Sequence, residues 1–404
     1  MQRKLTVRDL RTVNRARVLR TLYFDQPRSR QELAGLTGLS QASVSTVVGE
    51  LIIDGVVVEA GQVESDGGRP RVLLRVNPHH AAVVGVDVGE TRVLVEVFDL
   101  TLERLAEATF PMSPDRQPAD EVAARVLEGL HRCLAAIGPR EVLGVGVGVP
   151  GVVEDGVVHA QTVGWHGVPL ARMLREGTDL PLYLDNGANT LGQAEVWFGA
   201  GRGASDAVIA LIGSGVGAGV IVGGALYRGV SGGAGEWGHT AVALDGRPCR
   251  CGALGCLEAY IGAYGVVDRY RATAPGVPED QEEALRALVS ARTPEAERVL
   301  AETARYAGLG IANLINLFNP SRVVVGGWAG LLLGGRLLAD VRAEAARHAL
   351  RRPFEQTSIV LCELGPESVA LGAATLPVAQ FLATGGVRRP PRVERTGSAS
   401  STLR

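Results

Sequence analysis

The chain has 404 residues with 41 basic and 43 acidic side chains, so its length suggests several domains and its net charge points to neither nucleic acid nor a membrane surface. Lys4 is the only lysine, which excludes a Walker-A loop, a Schiff-base enzyme and a protein-kinase site, because each of these needs a lysine. Any bound phosphate would have to contact backbone amides, hydroxyl groups or arginine.

Charge is distributed unevenly along the chain. Residues 1–80 hold 12 basic and 8 acidic side chains, residues 81–384 hold 24 and 34, and residues 385–404 hold 5 and 1. A basic N-terminal part, here called the head, followed by an acidic part, here called the body, is typical of a protein with two functions. The last segment, 385–404, is rich in Gly, Pro and Ser and is predicted to be a disordered basic tail.

The head, residues 1–78, is predicted to be a winged helix-turn-helix DNA-binding domain. A first helix is expected over residues 11–25. The capping box Ser29-Arg30-Gln31-Glu32 starts a short second helix at residue 30. Ser40 caps a third helix, whose buried stripe recurs at i, i+3, i+4 and i+7. That stripe consists of Val44, Val47, Val48 and Leu51.

The opposite face of the third helix carries small uncharged side chains, which suit close approach to a major groove. We expect base contacts from Gln41, Ala42, Ser45 and Thr46. Two strands, Val56–Glu59 and Val72–Val76, are predicted around a polar turn at residues 65–70. Arg69 in that turn suits a narrow minor groove. A plain three-helix domain that binds another protein is the alternative.

The body shows apolar strands alternating with helices, which predicts an α/β protein with two lobes and ligand loops at strand ends. We assign residues 79–198 to the first lobe and 199–384 to the second. Residues 207–227 carry no charge and are long enough to span a bilayer, but glycines recur there with period two. That spacing favours a strand–turn–strand over a membrane helix. No signal peptide is predicted, and the odd number of cysteines favours a reducing cytoplasm.

A cluster of metal-binding residues lies in the second lobe. Cys249, Cys251 and Cys256 fall within eight residues, and His239 precedes them by ten. Three thiolates and one imidazole complete a tetrahedral shell, which predicts a structural Zn²⁺ site. Three free thiols are the alternative interpretation.

These motifs together resemble the ROK family of repressors, open reading frames and kinases. The resemblance rests on the glycine-rich segment Ile212–Val220, on Gly235-Glu236-Trp237-Gly238-His239, on the cysteine cluster and on Gly255-Cys256-Leu257-Glu258. It implies an actin-like, hexokinase-like pair of α/β lobes around a sugar cleft. Members with an N-terminal winged helix are typically sugar-responsive transcription regulators. The resemblance further implies a sugar site formed by Asn186, Glu236, His239 and Glu258.

Two departures from the family pattern argue against catalysis. The kinases use the Asp of an Asn-Asp-Ala-Asn segment as general base, and this chain has Gly187 there. Asp185 is two residues earlier and is a poor substitute. The first phosphate loop reads Asp87-Val88-Gly89-Glu90-Thr91-Arg92, in which Glu90 would repel nucleotide phosphates. We therefore expect no catalytic residues.

Three functions remain open at this point. The first is a zinc-containing cytoplasmic transcription regulator, a repressor of carbohydrate genes, which binds operator DNA as a homodimer or homotetramer and responds to a sugar or sugar phosphate. The second is an active ATP-dependent sugar kinase with an appended DNA-binding domain. The third is a regulator that a protein partner controls without a small ligand. No membrane partner is expected.

Overall fold

A computed structural model describes residues 7–65, 68–112 and 117–387, and within these ranges it leaves out the side chains of Val7, Arg8, Ser65 and Arg69. The chain divides into two compact units. The smaller consists of Met1–His80 and Val378–Arg404, and the larger of Ala81–Pro377. The smaller unit is therefore built from both ends of the chain.

The smaller unit contains three helices and a three-stranded sheet with the order β1-β3-β2. Its elements are α1 (Val7–Asp25), β1 (Arg28–Ser29), α2 (Arg30–Thr37), α3 (Gln41–Ile53), β2 (Val57–Ser65) and β3 (Gly68–Val76). The predicted capping box forms, since Ser29 and Glu32 exchange side-chain and backbone hydrogen bonds. Ser40 caps α3 through the amide of Ser43. The whole predicted stripe of α3 is buried.

The two wing strands are longer than the sequence suggested. Val56–Glu59 and Val72–Val76 were expected, whereas β2 and β3 pair as far as Ser65 and Gly68. Residues 61–64 are all exposed, so neither face of strand β2 is buried there. Alternating hydrophobicity, the usual strand signal, is absent from such a ribbon.

The end of the chain completes the smaller unit. Arg15 of α1 is 7% exposed, donates from Nε to the carbonyl of Gly385 and contacts Asp54 Oδ2 at 2.5 Å. Gly385 and Gly386 have positive φ, and a Cβ on Gly385 would lie 2.9 Å from Arg15 Cγ. The assignment of Gly385 and Gly386 to a disordered tail was therefore wrong, because both residues pack on α1. Residues 388–404 lie outside the described chain.

The larger unit begins with a five-stranded sheet, its covering helices and a small three-stranded sheet. These elements are β4 (Ala82–Val88), β5 (Arg92–Asp99), β6 (Arg104–Pro111), α4 (Ala119–Ile137), β7 (Val142–Val149), β8 (Val152–Glu154), β9 (Val157–Ala160), β10 (Trp165–Val168), α5 (Leu170–Arg175), β11 (Leu182–Asn186) and α6 (Gly187–Phe198).

A second five-stranded sheet follows, with most of the helices. Its elements are β12 (Ala207–Ile212), β13 (Val216–Val222), β14 (Ala225–Tyr227), α7 (Glu258–Ile261), α8 (Ala263–Arg271), α9 (Gln281–Ser290), α10 (Pro294–Phe318), β15 (Arg322–Gly326), α11 (Trp328–His348), α12 (Arg351–Gln356), β16 (Ser358–Leu361) and α13 (Ser368–Ala383). The uncharged stretch 207–227 is thus strand–turn–strand–turn–strand, as its glycine spacing predicts.

The two large sheets share one topology. Their orders are β6-β5-β4-β7-β11 and β14-β13-β12-β15-β16, so in each the first three strands form an antiparallel meander and the last two run parallel to the first. This repeat is the actin-like pair of α/β lobes that the resemblance implies. The first hairpin turn of each sheet, residues 89–91 and 213–215, lies at an equivalent place.

Part of the glycine excess serves close packing between helix and sheet. A Cβ on Gly85 or Gly146 would lie 2.0 Å or 1.8 Å from a carbonyl oxygen of α13, at Ala370 and Ala373. Only glycine permits this approach.

None of the described helices is long and apolar enough to cross a membrane alone. The bent pair α2 and α3 together meets that test, by length and composition only.

Candidate functional site

A cleft of about 440 Å³ lies within the larger unit. Both equivalent hairpin turns line it, together with the start of α6, the 3₁₀ turn Trp237–His239 and the start of α7. The four residues of the expected sugar site all line this one cleft. The structure therefore brings together side chains that are separated by up to 72 positions in the sequence.

Asn186 ends β11 and caps α6. Its Oδ1 accepts a hydrogen bond from the amide of Ala188 at 2.7 Å, and its Nδ2 donates to the carbonyl of Gly151 at 2.7 Å. A primary amide has two N–H groups and two lone pairs. One donor and one acceptor of Asn186 are therefore left for a ligand in the cleft.

Glu236 directly precedes the 3₁₀ turn, and His239 is its last residue. His239 Nε2 lies 3.9 Å from Glu236 Oε2, while Nδ1 lies 3.7 Å from Cys249 Sγ. The two ring nitrogens thus face different partners, one the cysteine cluster and the other the cleft. Burial raises the pKa of Glu236, nearby His239 lowers it and Glu258 raises it. Gly235 allows this turn, because a Cβ there would lie 1.9 Å from Ala218 O.

Glu258 is the first residue of α7 and is almost wholly buried. Its Oε2 accepts a hydrogen bond from the amide of Val216 at 3.0 Å, and its Oε1 lies 3.7 Å from Cys249 Sγ. These contacts fix the carboxylate between the second hairpin turn and the cysteine cluster. A ligand that binds Glu258 would therefore contact a side chain whose position depends on both the second hairpin turn and the cysteine cluster.

The four predicted metal ligands converge. One ligand atom from each of His239, Cys249, Cys251 and Cys256 lies within 4.8 Å of all the others. Cys251 and Cys256 Sγ are 3.8 Å apart, and a tetrahedral shell with Zn–S bonds of about 2.3 Å requires about 3.8 Å. Burial raises the pKa of the Cys249 and Cys256 thiols. A bound cation would reverse this effect by favouring the thiolates.

The position expected for a catalytic base has no side chain. Gly187 lines the cleft at the start of α6, whereas Asp185 is not among the lining residues. Asp185 Oδ2 accepts two hydrogen bonds from Arg228, at 3.0 and 2.8 Å, and Oδ1 accepts from the amide of Asn186. The Asp185 carboxylate is thus paired and held away from the cleft.

The first hairpin turn carries Glu90, which forms an ion pair across the cleft. Glu90 contacts both terminal nitrogens of Arg250, at 2.5 and 3.1 Å, and Arg250 also lies 3.5 Å from Glu258. Arg250 lies between Cys249 and Cys251 in the sequence, so this pair links the first sheet to the cysteine cluster. The sequence placed Glu90 near a phosphate site but gave no sign of Arg250, which is 160 positions away.

A second carboxyl of the first sheet also faces the cleft. Burial raises the pKa of Asp87 to about 7, with nearby Arg92 lowering it and Glu96 raising it. Asp87 and Arg92 both line the cleft. Burial thus favours the neutral form of the Asp87 carboxyl more than it would be favoured in an exposed aspartate.

Trp328 is a further residue of the cleft, and sequence reasoning did not assign it to the site. The indole lines the cleft, and a Cβ on Gly213 would lie 3.4 Å from Trp328 Nε1. The available signal was its position directly after Gly326-Gly327 at the end of a strand. Trp165, by contrast, is buried and is not among the lining residues, and its Nε1 donates to Gln117 O.

The expected DNA-reading residues lie together in the smaller unit. Gln41, Ala42, Ser45 and Thr46 are all exposed on the first turns of α3, opposite its buried stripe. Offsets of one, four and five residues place them on one face of a helix. The backbone of Arg69 lies in β3, but its side chain is outside the description.

Known proteins match this chain over most of its length. The ROK family model matches residues 83–380. A xylose repressor from Caldicellulosiruptor bescii is 31% identical, covering 92% of this chain and 97% of the repressor. A glucokinase from Halalkalibacterium halodurans is also 31% identical, covering 72% of this chain and 94% of the kinase. A solved ROK family transcriptional regulator, a homolog of the E. coli MLC protein, has TM-score 0.77 and 26% identity, covering 93% of this chain and 98% of that one.

Proposed function

This chain belongs to the ROK family, and from that premise we propose that it is a sugar-responsive transcription regulator of the repressor kind. The observation that carries the proposal is the extent of the matches, since a repressor aligns over 92% of the chain and a glucokinase over 72%. The smaller unit would bind operator DNA and the cleft would bind the effector. Such a regulator would act in the cytoplasm, where its operators are.

The DNA interface that we propose is the exposed face of α3 together with the wing. Gln41, Ser45 and Thr46 offer an amide and two hydroxyls, the groups that read base edges in a major groove. Thr46 Oγ1 donates to Ala42 O at 3.0 Å, which leaves its lone pairs to accept from a base. Ala42 offers a methyl group of the size that contacts a thymine methyl.

Replacing Arg69 with alanine is expected to weaken operator binding and to leave sugar affinity unchanged. An arginine in a narrow minor groove interacts mainly with negative potential, so the slope of log affinity against log salt should fall by about 1. Fluorescence anisotropy over a salt series measures both quantities. Arg351→Ala in the larger unit is the matched control. Equal operator affinity for Arg69→Ala and wild type at every salt concentration removes the wing from the interface.

The effector site that we propose consists of Asn186, Glu236, His239 and Glu258. Paired carboxylate and amide groups suit the vicinal hydroxyls of a sugar or sugar phosphate, because each oxygen accepts and the amide also donates. His239 Nε2 faces Glu236 and the cleft, so it can contact a hydroxyl while Nδ1 faces the cysteines. Effector binding changes DNA affinity only if the two states bind the sugar differently.

The metal that we propose is Zn²⁺, held by His239, Cys249, Cys251 and Cys256. The donor set and the spacing of its ligand atoms fit a closed tetrahedral shell. A closed shell leaves no position for a reacting molecule, so the ion would be structural. It would fix the tautomer and direction of His239 and would hold the loop that carries Arg250.

We further propose that the cleft no longer catalyses phosphoryl transfer. A panel of sugars with Mg²⁺ and ATP is expected to give no sugar-dependent ADP release in a coupled assay. Loss of a general base alone costs about 10²- to 10⁴-fold, and Gly187 provides none. The competing function is an active kinase with an appended DNA-binding unit. Turnover in wild type that Asp185→Asn abolishes would establish that alternative.

Two further points of the proposal concern partners. Two copies reading a palindromic operator would explain a homodimer or homotetramer, since two recognition helices need two half-sites. Genome-wide footprinting of the bound protein, followed by sugar titration on the recovered operators, tests the whole assignment. Operator binding that no sugar or sugar phosphate changes would favour control by a protein partner instead.

A further inference from the structure

The side chains that face the cleft are predominantly acidic. Four carboxyl groups line it, and among the described lining residues a single guanidinium accompanies them. The carboxyls belong to Asp87, Glu90, Glu236 and Glu258, and the guanidinium to Arg92. Two imidazoles, of His159 and His239, also line the cleft and are charged only when protonated. Burial raises the pKa of Asp87 and Glu236, so the repulsion of a phosphorylated ligand, which carries about −1.5 to −2 charges at neutral pH, would come mainly from Glu90 and Glu258.

The cation nearest the second hairpin turn is already paired. A Cβ on Gly215 would lie 3.2 Å from Glu90 Oε1 and 3.7 Å from Arg250 Nη2, so the Glu90–Arg250 pair packs directly on this turn. Arg250 stacks over the Tyr264 ring at 4.9 Å and lies beside Glu258. The two guanidinium nitrogens with which Arg250 could bind a phosphate are thus already occupied by the Glu90 carboxylate.

The backbone of the first hairpin turn, which carries Glu90, is held in place by Gln117. Gln117 is buried, and its Nε2 donates to the carbonyls of Gly89 at 3.2 Å and Glu90 at 2.6 Å. The side chains of Glu90 and Arg250 are 8% and 18% exposed. A phosphate entering the cleft would have to displace a desolvated, fixed carboxylate from Arg250.

From this geometry we propose that the cleft takes an unphosphorylated sugar, and that Glu90 excludes sugar phosphates by occupying Arg250. The inference rests on the proposed effector function and narrows its ligand class. It assigns to Glu90 a role in specificity, where the sequence suggested only a repulsive residue. Hydroxyl groups suit the cleft, because its carboxylates accept hydrogen bonds from neutral donors without a charge penalty.

The test compares matched ligand pairs on the full-length protein by isothermal titration calorimetry. Glucose is paired with glucose 6-phosphate, N-acetylglucosamine with its 6-phosphate, and mannose with mannose 6-phosphate; xylose is added as a pentose. In every pair with measurable binding we expect the unphosphorylated member to bind at least about tenfold more tightly. The reason is that placing the phosphate beside the cleft carboxylates costs a free energy of several times the thermal energy. A phosphorylated member that binds more tightly than its partner overturns the inference.

The Glu90→Gln variant tests the mechanism of exclusion. It removes one negative charge and weakens the pairing of Arg250, so the preference against the phosphorylated member should fall by about tenfold. Glu90→Asp retains the charge and should retain most of the preference. Glu103→Gln makes the same charge change on an exposed residue that does not line the cleft, and should behave as wild type. Unchanged discrimination in a folded Glu90→Gln, with wild-type zinc content and melting temperature, would exclude Glu90 as its cause.

Failure of this inference and failure of the proposed function give different results. If a sugar phosphate binds more tightly and releases operator DNA, the regulator function stands and the ligand class is wrong. If no member of any pair binds while operator binding is intact, both the ligand class and the effector function are overturned. Anisotropy with the recovered operator, run on the same ligand panel, separates these outcomes.

Discussion

Replacing Cys251 with serine is expected to abolish zinc binding and the response of DNA binding to sugar together. Structural zinc sites contribute about 10–16 kcal/mol in small domains, and serine is a far weaker ligand than a thiolate. Without the proposed ion, no metal bond would hold Nδ1 of His239, and the ring would be free to turn. Glu258, 3.7 Å from Cys249, loses a fixed neighbour. Sugar affinity should fall by about 3- to 10-fold, the usual cost of losing one hydrogen bond, here the one proposed from His239 to the sugar.

Three measurements check this expectation. Metal analysis gives zinc per chain, calorimetry gives sugar affinity, and anisotropy gives operator release. Cys133→Ser is the matched control, because Cys133 is a buried cysteine in the first lobe whose thiol donates to Val95 O, a bond that a hydroxyl can also make. Sugar-dependent operator release that survives in a verified zinc-free Cys251→Ser protein would show that the cluster does not control the cleft.

Ending the chain after Pro377 is expected to abolish DNA binding, although the segment proposed to read DNA lies near the other end of the chain. Val378, Phe381 and Leu382 are buried in the smaller unit, and each contributes about 1.5–3 kcal/mol. Their combined loss of about 5–9 kcal/mol is comparable with the whole stability of a domain, about 5–15 kcal/mol. Arg15 would also lose the carbonyl of Gly385, leaving a buried donor unsatisfied.

A second truncation provides the control. Ending the chain after Val387 removes residues 388–404 but keeps every described contact of the C-terminal segment. That protein should melt and bind operator as the full chain does, apart from any charge effect of the removed arginines. Thermal unfolding and anisotropy distinguish the two truncations. Wild-type operator affinity in the shorter protein would mean that residues 378–387 are not needed for the DNA-binding fold.

Local signals in the sequence predicted the elements that depend on local interactions. The capping box at Ser29, the cap at Ser40 and the stripe of α3 form as expected because each involves residues within one or two turns. The cysteine cluster also converges as its spacing suggests. The strands after residue 207 follow from the period-two spacing of the glycines.

Features that depend on distant partners were not predictable in this way. The pairing of Glu90 with Arg250 joins two loops that only the finished fold brings together. The pairing of Asp185 with Arg228 is of the same kind, and it decides whether Asp185 faces the cleft. The segment 385–404 was assigned to a tail because it is rich in Gly, Pro and Ser, yet the positive φ of Gly385 and Gly386 and their lack of a side chain are what let them pack on α1.

Because the smaller unit is built from both ends of the chain, it cannot be completed until nearly the whole chain has been synthesised. The ribosome makes α1 and α3 first, but Ala81–Pro377 must follow before residues 378–387 emerge. At about 5–20 residues per second, that interval is about 15 to 60 s. During this time the nascent chain has a recognition helix without a finished domain to hold it. A prematurely terminated polypeptide would therefore not occupy operators, so only chains that also carry the complete sugar cleft would regulate genes.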